Sequence, residues 1–308
     1  MLWNTDKIND IVELLRNGSN IKQIIRDINI NHILSDETTE IKFPFLISET
    51  EGIPIFRTPD LQFEYSEEEK LKMLEISEYA PQILNFFKIK KFHYQKDWLR
   101  YYQDNRFNLF VKSRQIGATT LSLICAIHYI LTNTEKEIVF LCRDKLDVID
   151  KFDKFIKLYN DNIPFYLQIG VTSIKGNKNF SISFENRCRI SFRDKLTMTT
   201  SIDFLISEDI NNLEPVIMPF CRDRILISSL PTKDSNSWIY KLTNNQTLHQ
   251  FNIQYFDWTL NKDRDSNWAR NVIMELGNTK DFIQEYCCDR ITPEIQSYLR
   301  DIKIDSIL

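Results

Sequence analysis

Four short, near-continuous apolar runs with helical stretches between them constrain the fold more than any other feature of the chain. Arg106–Lys112 (RFNLFVK), Glu137–Cys142 (EIVFLC), Ile202–Ser207 (IDFLIS) and Arg224–Ser229 (RILISS) lack the strict polar alternation of a strand with one wet face. They suit strands buried on both faces, and helical candidates lie between them at 118–132, 145–161 and 212–221. Buried strands joined by helical crossovers predict an α/β open sheet, mainly parallel and flanked by helices. Phe180–Phe184 and Cys188–Phe192 alternate around Glu185-Asn186-Arg187 and predict an antiparallel hairpin beside that sheet.

Ahead of this region, Lys7–Arg16 and Ile21–Ile28 read as two short amphipathic helices broken by Asn17-Gly18-Ser19-Asn20. No basic recognition helix follows, so a helical hairpin packed on the body is expected rather than half of a helix-turn-helix. Residues 36–65 are loop-like, and a capping-box pattern at Ser66 opens an acidic helix. The expected division is a helical and loop N-terminal region 1–65, an α/β domain 66–292 and a tail 293–308.

Composition narrows the function classes. Only 6 of 308 residues are glycine, against the ~7% of average proteins, which excludes glycine-rich low-complexity architectures. A net charge of -4 gives no global footprint of a nucleic-acid binder, so any DNA contact would be a local patch. The six cysteines form no C-x-x-C pair and the four histidines are scattered, which argues against zinc and disulfide frameworks. The start lacks a signal-peptide pattern and no apolar stretch reaches the ~18–20 residues of a span, so a reduced, soluble, intracellular protein without a membrane partner is expected.

The most informative segment is Lys112–Thr120 (KSRQIGATT), which follows the first buried strand and opens a helix. A tight loop there aims backbone N–H groups and the positive end of a helix dipole at one spot, as phosphate binding requires. The pattern G-x-x-x-x-G-K-[ST] is met in part: Gly117 fits the second glycine and Thr119 the metal-binding hydroxyl. Lys112 stands at the first glycine, and Ala118 replaces the lysine.

Phe92-His93-Tyr94-Gln95, followed by Ser113-Arg114-Gln115-Ile116-Gly117-Ala118-Thr119, resembles the ATPase domain of tailed-phage large terminases, one branch of which carries S-R-Q-I-G-A-T. The likeness continues through Leu226–Thr232, Trp238-Ile239-Tyr240, Trp258, Trp268-Ala269-Arg270 and Phe282-Ile283-Gln284-Glu285-Tyr286, covering residues 90–292. It implies a P-loop NTPase fold of the RecA/ASCE kind with ATP and Mg²⁺ as cofactors. By the same resemblance Gln95 contacts adenine or the loop, and Ser113, Arg114, Gln115, Gly117, Ala118, Thr119 and Thr120 line the nucleotide, with Arg114 on the γ-phosphate. Thr119 would hold Mg²⁺, and Ser228 and Ser229 would couple nucleotide state to movement.

The family's acidic pair, a strand ending in Asp-Glu, corresponds here to Ser207-Glu208, which makes Glu208 the water-polarising carboxylate and leaves Ser207 at the metal position without charge. Losing one charged contact costs ~2–4 kcal/mol of transition-state stabilisation, roughly 10²–10³ in rate. Slow hydrolysis is therefore expected, and a terminase-fold assembly or structural protein without hydrolysis is the competing reading. For DNA, residues 171–195 carry Lys175, Lys178, Arg187, Arg189, Arg193 and Lys195 against Glu185 and Asp194, a local basic hairpin suited to phosphate backbone.

The resemblance implies a packaging motor that translocates double-stranded viral DNA into a prohead. It would work as a homo-oligomeric ring with the portal protein, a small terminase subunit and a separate nuclease subunit as partners, in the host cytoplasm and transiently at the portal vertex. The sixteen residues after 292 leave no room for a nuclease domain, so nuclease activity is not expected.

Overall fold

The computed structural model describes residues 46–50, 53–56, 67–176, 180–196, 201–209, 221–244 and 250–301. The chain divides into two compact units, residues 1–61 and 62–308. In the first, β1 (Leu46–Thr50) and β2 (Ile53–Phe56) pair as an antiparallel hairpin. The two helices expected over Lys7–Arg16 and Ile21–Ile28 lie outside the described residues.

The second unit opens with α1 (Glu67–Glu78), the acidic helix expected after Ser66, and α2 (His93–Asp104). Eight strands then form one sheet: β3 (Phe107–Lys112), β4 (Glu137–Leu141), β5 (Val171–Lys175), β6 (Phe180–Phe184), β7 (Arg189–Arg193), β8 (Ile202–Glu208), β9 (Cys221–Ser229) and β10 (Asn252–Phe256). Their order is β10-β3-β9-β8-β4-β7-β6-β5. The first six in that order are mutually parallel, and β6 and β5 add antiparallel at one edge. This is the open α/β sheet that the apolar runs predict.

Helices α3 (Ala118–Thr132) and α4 (Lys145–Asn162) are the expected crossovers. Eleven of the fifteen α3 residues are buried, as suits a helix that is apolar almost all round. Residues 212–220 of the remaining helical expectation lie outside the described residues, and Cys221 already belongs to β9.

Register separates the two faces of the sheet. Phe110, Ser228 and Glu208 are lateral neighbours, as are Ile206 and Phe140 and then Phe192, so all of these share one face. That face carries α2, α3 and α4: Trp98 packs on Phe110 and Phe256, Tyr129 on Phe204, and Phe155 on Phe192. The opposite face holds a second core of Leu109, Val111, Leu141, Leu205 and Ile227, covered by Trp238, Ile239 and Leu242 of α5 (Trp238–Thr243).

A separate small core closes the unit. Helices α6 (Ser266–Leu276), α7 (Thr279–Tyr286) and α8 (Pro293–Asp301) gather around fully buried Trp258 and Phe282. All six cysteines are buried free thiols. Among the described residues no helix is long and apolar enough to cross a membrane.

Candidate nucleotide site

The C-terminal ends of the six parallel strands share one edge of the sheet, the edge where open α/β folds bind ligands. At its centre β3 runs into the loop 113–117 and then into α3. Gly117 takes the left-handed conformation (φ 83°) immediately before the first helical residue, and Gln115 is left-handed as well (φ 57°). An alternation of this kind curls successive peptide units into a concavity. The first amides of α3 have no intrahelical acceptor and point into the same space.

The loop is tied down on its far side. Ser113 N donates to Phe256 O (2.8 Å) and Arg114 N to Glu285 O (2.8 Å), while Arg114 Nε pairs with Glu285 Oε2 (2.7 Å). Arg264 donates to the carbonyls of Arg114 (3.3 Å) and Gln115 (2.8 Å), and the Tyr94 hydroxyl donates to that of Ile116 (2.8 Å). Arg114, Gln115 and Gly117 are exposed, Thr119 and Thr120 half-buried, and Ser113 and Ala118 buried.

The side-chain hydrogen bonds of Gln95 stay within its own helix end. Its amide closes the N-terminus of α2, accepting from Phe92 N (3.1 Å) and donating to Lys90 O (3.0 Å). The neighbouring Tyr94 hydroxyl reaches the loop, donating to Ile116 O.

One strand, β9, separates β3 from β8, whose end carries the carboxylates. Ser207 lies level with Leu141 and Ile227, on the face of the second core; it is fully buried and its hydroxyl has no partner. Residues 207 and 208 alternate across the pleat, so Ser207 faces away from α3. Glu208 faces the α3 side. It is 2% exposed, accepts from Ser228 Oγ (3.3 Å) and pairs with Lys151 Nζ of α4 (3.3 Å), which also binds Asp147 (2.8 Å).

Burial disfavours the Lys151 ammonium, but the Glu208 and Asp147 carboxylates outweigh that cost and raise its pKa. Asp209 would return to the Ser207 face if the strand continued. The strand ends instead, Asp209 turns left-handed (φ 51°), and its carboxylate accepts from Lys112 Nζ (3.0 Å) and Leu230 N (3.2 Å). The carboxylates at this edge are thus Glu208 and Asp209, one residue later than Ser207-Glu208. Ser228 touches Glu208, and Ser229 lies level with Val111 beside the loop.

The basic hairpin is partly neutralised. Arg187 pairs with Glu135, Arg189 donates to Ser181 Oγ (3.3 Å), and Arg193 is buried with Glu137 at 3.5 Å. Arg193 therefore presents no free charge, whereas Lys175 and Lys195 are exposed; Lys178 lies outside the described residues.

Lys151, Asp209, Arg264 and Glu285 carry no motif that assigns them to this site, although Glu285 sits inside the F-I-Q-E-Y block. Each reaches the site from an element distant in sequence from the loop, so they are legible only once the sheet order is known.

No protein-family model matches the chain, and no curated protein matches it. Among solved structures, the ATPase domain of the Thermus phage P74-26 large terminase aligns with a TM-score of 0.51 at 14% identity, over 67% of this chain and 96% of that domain. An arginine-to-alanine point mutant of that same domain gives 0.52 at 14% identity and the same coverage. The bacteriophage HK97 large terminase covers 75% of this chain and 52% of its own at 13% identity, with a TM-score of 0.47. By the two P74-26 superpositions, the chain has the fold of a phage large terminase ATPase domain.

Proposed function

We propose that the chain is an ATP-hydrolysing motor domain of the viral DNA-packaging type. The observation that carries this reading is the left-handed loop at Gly117 opening α3, set one strand away from the buried Glu208 and its neighbour Asp209. The loop amides and helix end bind the phosphates, and exposed Arg114 exchanges its Glu285 partner for the γ-phosphate. Thr119, half-buried in the first turn of α3, and Glu208 on the same side of the sheet suit a hard cation whose shell is completed by phosphate oxygens and water. Mg²⁺ bound there would neutralise charge on the phosphates.

Glu208 and Asp209 would divide the remaining acidic work, one polarising water and the other holding the water shell of a bound cation. Ser228 donates to Glu208 from the strand that leads to α5, so a change at the γ-phosphate passes into the 228–240 segment. Double-stranded DNA, a portal protein and a ring of like subunits are the partners of such a motor, and exposed Lys175 and Lys195 are DNA contacts.

Mg²⁺-dependent ATPase activity is the test. Arg114→Ala and Glu208→Gln each abolish it; unchanged activity in both variants overturns the site. Ala118 and the closed Lys112–Asp209 pair favour a second reading, an assembly protein that retains the fold without hydrolysis. Calorimetry separates the two, since absence of ATP binding with Mg²⁺ present selects the second.

A further inference from the structure

We propose that Arg264 and Tyr94 are positioning residues that hold the loop in its anion-binding form, and that Arg264 also supplies, from behind the loop, part of the positive charge that Ala118 lacks. The inference deepens the phosphate-site reading and rests on it.

The argument begins with the peptide unit. In a trans peptide the carbonyl of one residue and the N–H of the next point in opposite directions. Arg264 holds the carbonyls of Arg114 and Gln115, and Tyr94 holds that of Ile116, so three consecutive carbonyls turn toward the protein. The amides of Gln115, Ile116 and Gly117 are thereby turned outward. Those of Ser113 and Arg114 are spent on Phe256 and Glu285. Each amide from 113 to 117 has a stated direction, and the three that face outward run directly into the free amides at the start of α3.

Arg264 is built into this role. It is 9% exposed, and its guanidinium lies over the Trp268 ring at 4.4 Å. Among the described residues no carboxylate lies within ion-pair distance of it, and the hydrogen bonds found for it go to loop carbonyls. Burial lowers its pKa, yet a guanidinium remains charged at neutral pH. A buried cation without a counter-ion raises the potential on the far side of the loop, where an anion would bind. Burial also pushes the Tyr94 phenol up, so its hydroxyl stays a donor.

The test uses the full chain and MgADP as the probe, with affinity from calorimetry, KM and kcat for ATP, and urea midpoints in parallel. Arg264→Met and Tyr94→Phe are expected to weaken MgADP at least tenfold and to raise KM for ATP by a similar factor. Arg264→Lys, which keeps the charge but lacks the planar fork that spans the two carbonyls, falls between Arg264→Met and wild type. Trp258→Phe perturbs the same helical core without touching the loop, and it keeps wild-type affinity. Folded Arg264→Met and Tyr94→Phe with unchanged affinity would overturn the proposal. If Arg264→Met does not fold, Tyr94→Phe and Arg264→Lys decide it by the same criterion. A wild-type chain that binds no MgADP removes the phosphate site itself, an outcome distinct from loss confined to the variants.

Discussion

Removing the Lys151 ammonium strands a carboxylate that is buried from bulk solvent. Glu208 is 2% exposed, and its side-chain partners are Lys151 and the neutral Ser228 hydroxyl, both at 3.3 Å. In Lys151→Met it keeps one neutral hydrogen bond. Asp147 is better insured, because it retains Arg143 N (2.9 Å) and Arg143 Nη2 (3.7 Å). Most of the cost therefore falls on Glu208, and breaking one side of a buried pair costs about 3–5 kcal/mol.

Glu208→Gln alone leaves Lys151 with Asp147 and costs about 1–2 kcal/mol. The double variant removes the stranded charge, so it loses less than the two singles together by about 2 kcal/mol or more. Urea unfolding at pH 7.5 reads this as a midpoint change at constant slope. Additive losses within about 0.5 kcal/mol, or a Lys151→Met cost below about 1 kcal/mol, would refute the reasoning.

Three further outcomes follow from the same geometry. Gly117→Ala and Gly277→Ala each impose about 1–2 kcal/mol of left-handed strain with open space around the added carbon, so thermal melts fall alike while only Gly117→Ala weakens MgADP. Ser207→Asp places an unpaired carboxylate beside Leu141 and Ile227, lowering stability by several kcal/mol without raising the ATPase rate; a faster enzyme would restore the Ser207-Glu208 frame. His128 is fully buried between Tyr102 and the Ile76 carbonyl, and burial pulls its pKa down to about 4. Protons bind the unfolded chain first below pH ~6.5, so stability falls by about 2 kcal/mol between pH 7 and 5 and levels off below 4. His128→Gln flattens that part of the urea-midpoint profile.

The central sheet was readable because its strands are covered on both faces. A run such as EIVFLC has no polar register to confuse it, and β4 ends within one residue of that run. Strand β10 (NIQYF) is the opposite case: at the sheet's edge and half-exposed, it shows neither a continuous apolar run nor clean alternation. Counting along a motif cannot tell where a strand stops, and here the strand stops at Glu208 while a left-handed residue redirects Asp209 toward Lys112. Arg264 and Lys151 stayed invisible because each meets its partner across a long stretch of chain, 149 residues between Arg264 and Gln115.

The position of β9 has a consequence of its own. Two sheet spacings of roughly 4.8 Å separate the strand that launches the loop from the strand that carries the carboxylates, a gap of about 10 Å. On the proposed reading, a bound phosphate would sit across that separation. Main-chain hydrogen bonds set this distance, and side chains do not. β9 thus acts as a spacer whose width side-chain substitution cannot alter.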